Sequence, residues 1–218
     1  MPIKSLIFDF DGLILDTETP EFLAWQSIYR EYGQEIPIDE WGKIIGGAGI
    51  SNFDAALHLS HLSQGQLDAA SLRLRQRSET DRMIAESSAL PGVIELIDEA
   101  KQHQLKLAVA SSSRHVWVDG HLKRLGLFEA FDNIVCADDV AVGRTKPNPD
   151  LFLLALDKLE VQKEAAVVFE DSPNGVRAAK SAGIFVVAVP NPVTSQLGVD
   201  GADLVLKSLE KFNLKMFL

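Results

Sequence analysis

The chain has 218 residues, enough for one large domain or a domain with a smaller companion at about 100–200 residues each. With 46% hydrophobic and 24% charged residues its composition is that of an ordinary globular protein, neither disordered nor fibrous. Lys+Arg 21 against Asp+Glu 31 leaves a formal charge of −10, which speaks against nucleic acid or an anionic membrane surface as partner, since both need a surplus of Lys and Arg.

Cys136 is the only cysteine, so an intramolecular disulfide and a cage of several thiolates are ruled out. A small core residue in a reducing cytoplasm is the expectation for it. The start, Met1-Pro2-Ile3-Lys4, has no basic stretch followed by an apolar run, so no secretory signal is expected. No apolar stretch approaches the ~20 residues that span a bilayer.

Residues 3–10 (IKSLIFDF) are an apolar, β-branched and aromatic run ending in acid, which predicts a buried strand followed by a loop. From 17 to 87 the pattern turns helical, interrupted by the flexible Gly46-Gly47-Ala48-Gly49. Beyond Pro91-Gly92 the chain alternates: helix 92–103, strand 105–110, helix 115–125, strand 133–137, helix 149–159, strand 165–170, helix 173–182, strand 184–189. A short strand at 203–206 and a polar helical tail complete the chain. This order predicts an α/β fold, a Rossmann-like doubly wound parallel sheet covered on both faces, with an inserted α-helical block. The expected division is 1–16 and 88–218 for the α/β core and 17–87 for the insertion.

In open sheets of this kind ligands sit outside the carboxyl ends of the strands, so the residues just after each strand carry the functional signal. The first strand ends in Asp9-Phe10-Asp11-Gly12, either a loop of solvated acids or a paired-acid site, because unpaired charges cannot continue into an apolar sheet. The second ends in Ala110-Ser111-Ser112-Ser113-Arg114, whose hydroxyls either cap the next helix or bind an anion at its N-terminus. Lys146 stands before a helix start stiffened by Pro147 and Pro149, more local definition than a surface lysine requires. After the next strand come Glu170-Asp171-Ser172-Pro173, adjacent acids with a cap and a first-turn proline. Beside Asp9 and Asp11 these acids would repel without a cation, and hard oxygen ligands select Mg²⁺.

Taken in order, FDFDG (8–12), AVASSSR (108–114), Lys146-Pro147 and VVFEDSPNGVRAA (167–179) resemble the motifs of the haloacid dehalogenase-like superfamily. The closest likeness is to its phosphatases and β-phosphoglucomutases with a helical cap after the first strand. The resemblance implies a catalytic core at 1–16 and 88–218 and a cap at 17–87. Asp9 would be the nucleophile that forms an aspartyl-phosphate, and Asp11 the general acid and base. Mg²⁺ would be held by the Asp9 side chain, the Asp11 backbone carbonyl, Glu170 and Asp171. Ser111 and Lys146 would hold the transferring phosphoryl group, whose oxygens carry the developing charge. Substrate would meet Ser112 and Arg114, together with Gly47 in the segment matching the specificity loop and Trp25 at the position of a cap tryptophan; His115 is a further candidate. Arg73, Arg75 and Arg77, spaced by two, are expected as solvated charges. His58, His61, His103 and His121 form no recognisable constellation.

The implied activity is a Mg²⁺-dependent phosphatase acting on a small phosphorylated metabolite such as a sugar phosphate, as a cytoplasmic monomer. A phosphosugar mutase is the alternative, but similar mutases carry histidine where this chain has Glu21. Dehalogenation fits less well, because that branch works without the metal this acid set is suited to hold. A non-catalytic receiver-like module is opposed by motif order: in receivers the acid pair precedes the phosphorylated aspartate by a whole strand–helix unit, and no long helical insertion follows the first strand.

Overall fold

The computed structural model describes residues 2–41, 44, 52–196 and 198–218. Among these run the strands β1 (Ser5–Phe8), β2 (Lys106–Ala110), β3 (Asn133–Val135), β4 (Ala166–Glu170), β5 (Phe185–Ala188) and β6 (Leu204–Val205). They pair in parallel in the order β3-β2-β1-β4-β5-β6. Four helices, α1 (Glu18–Glu31), α2 (Ile38–Trp41), α3 (Ala55–Leu62) and α4 (Ala69–Glu86), follow β1. Then α5 (Val93–Gln102), α6 (His115–Arg124), α7 (Asp150–Leu159) and α8 (Pro173–Ala182) alternate with the remaining strands.

The strands are apolar on both faces because both are covered. Leu6, Phe8, Val109 and Phe169 pack with Val93 and Ile97 of α5 and with Leu122 of α6. The alternate residues Ile7, Ala108 and Val168 point the other way, onto Phe152 of α7 and Ala179 of α8. The chain first builds outward from β1 through β2 to β3, then returns to the other side of β1 for β4, β5 and β6. That reversal beside β1 opens a crevice at the carboxyl ends of β1 and β4. The doubly wound sheet expected from the sequence is the sheet observed.

Helices α1–α4 bury a further cluster, with Trp25, Tyr29, Trp41, Leu59 and Leu72, joined by Val193 from the segment after β5. Asp54 and Asp68 cap α3 and α4 by accepting the N–H groups of Leu57 and Ser71 at 2.9 and 2.8 Å. Ile84, near the end of α4, belongs instead to the cluster on the sheet. The polar helical tail expected at the carboxyl end is corrected. It forms two short 3-10 turns, Leu209–Lys211 and Leu214–Met216, and buries Leu209, Phe212 and Leu214 against the sheet. No helix among the described residues is long and apolar enough to cross a membrane.

Candidate active site

Asp9 continues the β1 ladder by one residue, its N–H donating to Phe169 O at 2.9 Å, so its side chain emerges at the crevice floor. Glu170 and Asp171, at the end of β4, stand beside it. Carboxylate oxygens of the three lie within 4.8 Å of one another, and all three residues are buried. Lys146, only 3% exposed, reaches in from the segment before α7, hydrogen-bonds Asp9 and lies 2.5 Å from Glu170 Oε1.

Three carboxylates around one ammonium leave negative charge in surplus at a buried site. Burial pushes the Asp9 carboxyl up to about 8, with Lys146 opposing and the charges of Glu170 and Asp11 adding to the rise. Asp171 is held well above the usual carboxylate range by burial and by Asp9 and Glu170. Burial alone would lower Lys146, but Asp9 and Glu170 reverse the effect and raise it. A divalent cation among these oxygens would relieve the repulsion, and an all-oxygen donor set fits Mg²⁺.

Local sequence builds this arrangement. Glu170 Oε2 accepts from the Asp171 and Ser172 N–H groups at 3.1 and 3.3 Å and from Ser172 Oγ at 3.2 Å. Ser172 also caps α8, accepting from Gly175 N–H at 3.1 Å, with Pro173 in the first turn. A Cβ on Gly175 would fall 1.8 Å from the Glu170 carboxyl carbon. Gly12 is required twice over: its φ is +82°, and a Cβ there would lie 2.2 Å from Asp171 Oδ2.

Asp11 lies above this cluster with each carboxylate oxygen shared by two donors. Thr17 Oγ1 and Trp117 Nε1 donate to Oδ1 at 3.0 and 2.8 Å, while Ser113 and Ser111 donate to Oδ2 at 2.6 and 3.2 Å. Ser111 is fully buried, and the Ser112 hydroxyl is buried with no hydrogen-bond partner. Asp9, Asp11, Ser111, Ser112, Arg114 and Lys146 border one cavity of about 640 Å³ between the sheet and the inserted helices. Glu18 and Glu21 of α1 line it too, and burial raises both carboxyls, helped by Glu21 and Asp11 for Glu18 and by Asp11 for Glu21.

Trp25 stands apart from the other expected substrate contacts, in an adjoining cavity of about 440 Å³ lined by the inserted helices and Trp117. Gly47 lies outside the described residues. His115, considered for substrate contact, is turned into ion pairs with Asp119 and Asp139 and does not border the cavity. Arg73, Arg75 and Arg77 of α4 are exposed, as expected, and each also meets an acid. Arg73 meets Asp54 at 2.5 Å, Arg75 meets Glu31 and Glu79 at 2.5 and 3.0 Å, and Arg77, 3.9 Å from Asp81, also borders both cavities.

Three residues at the site went unread in the sequence: Thr17, which donates to Asp11 Oδ1, Trp117 and Asn191. Trp117 anchors Asp11, and Asn191 donates to Asp171 Oδ2 at 2.9 Å. The signal for Asn191 was its place in Pro190-Asn191-Pro192 directly after the strand at 184–189. Its Oδ1 accepts the N–H groups of Val193 and Thr194, both at 2.9 Å, which fixes the amide for its contact with Asp171.

Comparison with known proteins finds relatives that match most of this chain. A relative in Bacillus subtilis (strain 168), YhcW, is 43% identical over 99% of this chain and 96% of its own. The fructose-1-phosphate phosphatase YqaB of Escherichia coli (strain K12) is 36% identical over 85% of this chain and 95% of its own. The β-phosphoglucomutase of Bacillus subtilis (strain 168) is 30% identical over 98% of this chain and 93% of its own. The family model for haloacid dehalogenase-like hydrolases matches residues 6–189, and the chain belongs to that family.

Proposed function

We propose that the protein is a Mg²⁺-dependent phosphatase that hydrolyses a small phosphate monoester through an aspartyl-phosphate on Asp9, with 17–87 acting as a cap over the site. The observation that carries this is the placement of Asp9 at the cavity floor, in contact with Lys146 and within 4.8 Å of Glu170 and Asp171. Mg²⁺ held by Asp9, Glu170, Asp171 and the Asp11 backbone carbonyl would offset charge on the phosphoryl oxygens and keep Asp9 ionised.

In the first half-reaction an Asp9 oxygen attacks phosphorus and the bond from phosphorus to the leaving oxygen breaks. Asp11 gives that oxygen its proton. In the second, Asp11 takes a proton from water as the water attacks phosphorus, and the aspartyl bond breaks to restore Asp9 and release phosphate. Ser111 and Lys146 hold the phosphoryl oxygens throughout, at positions fixed before substrate arrives. The hydrogen bonds from Thr17 and Trp117 hold the Asp11 carboxylate in place on the cavity side.

A mutase reading draws support from the β-phosphoglucomutase relative. Glu21 in the cavity favours hydrolysis, since the mutases this chain resembles carry histidine there. The test incubates the protein with Mg²⁺ and a panel of sugar phosphates and measures both released phosphate and, from β-glucose 1-phosphate with a bisphosphate primer, glucose 6-phosphate. Phosphate release that disappears in Asp9→Asn is expected. Undiminished release in that variant refutes the role of Asp9, and glucose 6-phosphate without phosphate release assigns the chain to the mutases.

A further inference from the structure

Among the described residues a second group of metal-ligating side chains forms where the start of α6 meets the loop after β3. His115 opens α6, Asp119 follows one turn later on the same helix face, and Cys136 comes directly after β3. A ring nitrogen, a carboxylate oxygen and the sulfur of these residues lie within 4.8 Å of one another. The backbone ties the two segments together through Ala137 N–H to Ser113 O at 2.9 Å.

The histidine is oriented as a metal ligand would be. Its Nδ1 lies 3.1 Å from Asp119 Oδ1, and its Nε2, on the opposite side of the ring, lies 2.9 Å from Asp139 Oδ2. Asp139 Oδ2 is itself fixed, 2.8 Å from the Cys136 N–H that donates to it. A ligating imidazole characteristically donates its other N–H to a carboxylate in this way, which sets both tautomer and ring orientation. Asp139 therefore does for His115 what an outer carboxylate does in a metal centre.

We propose that His115, Asp119 and Cys136 form a binding site for a thiophilic divalent metal of the zinc class, with Asp139 as the orienting carboxylate. The donor set decides the metal. The cluster at Asp9 offers only oxygens and suits Mg²⁺, whereas nitrogen, oxygen and sulfur together suit Zn²⁺ or Co²⁺. Three protein ligands leave a fourth position for water. Cys136 is fully buried, while the side chains of His115 and Asp119 are 35% and 27% exposed, so a metal reaches the sulfur from their side. On binding, the S–H bond of Cys136 breaks as the sulfur–metal bond forms, and the proton leaves to solvent. His115 enters as the neutral imidazole with its remaining proton toward Asp139, so affinity rises with pH. The bound ion would tie α6 to the end of β3 and so fix the serine segment 111–113 that borders the cavity.

The site is independent of the phosphatase reading, and its test does not use activity. The whole chain, saturated with Mg²⁺ to fill the carboxylate cluster, is titrated with Co²⁺ and followed in the near ultraviolet for thiolate-to-cobalt charge transfer. Carboxylates cannot produce that band. One equivalent of Co²⁺ should develop it with release of a proton, and Zn²⁺ should bleach it. Cys136→Ala should abolish the band, and Asp139→Asn should keep it but weaken the metal by about 10–100-fold. Should Cys136→Ala not fold, Asp119→Asn and His115→Ala, each expected to weaken the metal, carry the test. No band in the folded wild-type chain, or a band of unchanged affinity in both Asp119→Asn and His115→Ala, overturns the proposal.

Discussion

A missing methyl group at Gly175 is as much a part of the acid cluster as the carboxylates themselves. An added Cβ would sit 1.9 and 2.0 Å from the two Glu170 oxygens. Glu170 cannot swing aside, because Ser172 and the Asp171 N–H hold one oxygen and Lys146 holds the other. Gly175→Ala should therefore lower stability by about 1–3 kcal/mol, the usual range for forcing extra bulk into packed surroundings. Gly120, inside α6 with nothing within 4 Å of its would-be Cβ, supplies the contrast. Gly120→Ala should stabilise by about 0.4–1 kcal/mol, because a helix interior favours alanine and the unfolded chain loses freedom. Denaturant midpoints measured side by side decide the matter. An unchanged midpoint for Gly175→Ala would mean that Glu170 yields, and that the glycine is not needed to seat it.

At the scale of elements, the start of α6 is a hub of charge whose stability should depend on pH with a definite sign. Burial lowers the His115 pKa, but hydrogen bonds and charge from Asp119 and Asp139 outweigh it and raise the folded-state value. Lys158, 3.8 Å from Asp139, competes for the same carboxylate, and Arg114 is occupied with Asp138 at 2.8 Å. A histidine whose pKa rises on folding stabilises fully below its unfolded value of about 6.5, and that contribution fades as pH climbs through the folded value. With a chelator present, the unfolding free energy lost in His115→Gln should be largest below the unfolded value of about 6.5 and should shrink as pH climbs through the raised folded value. A gap that stays constant over this range would remove the assigned pairing. The alternating elements were legible because each strand is a short apolar run and each connecting helix has an apolar stripe. The tail was misread because Leu209 and Phe212 are spaced as on a helix and Phe212 and Leu214 as on a strand, so the sequence holds no single period and only the packed structure shows that they are buried. Asp9, Asp11 and Glu170 were legible because they interrupt or end apolar runs at strand ends, and Lys146 because prolines stiffen the helix start it precedes. Trp117 was not, since it is 106 positions from the Asp11 it anchors, and a first-turn aromatic on a helix has many uses.

For the molecule as a whole, a formal charge of −10 matters less than where the acids sit. Most are solvated, and their mutual repulsion is screened within about 10 Å at 0.1 M salt. The three around Lys146 are buried, where screening fails, so a divalent cation bound among them would relieve their repulsion. Binding to the folded state alone stabilises it by about 2.7 kcal/mol when the ion is at a hundred times its Kd. For a chain of this size each kcal/mol moves the melting temperature by about 2–4 °C, so Mg²⁺ should raise it by roughly 5–10 °C. Asp171→Asn, compared with the wild type at an alkaline pH where the raised carboxyls are ionised, tests the origin of the effect, because it then removes one buried charge while leaving an amide that Asn191 can still meet. Without metal, that variant should melt above the wild-type chain, having less repulsion to hold together. With Mg²⁺ it should gain less than the wild type, having lost a ligand, so the order of the two melting temperatures should reverse. K⁺ at matched ionic strength should reproduce neither change, since screening alone does not reach a buried cluster. A variant that responds to Mg²⁺ as strongly as the wild type would place the stabilising ion somewhere other than among Asp9, Glu170 and Asp171.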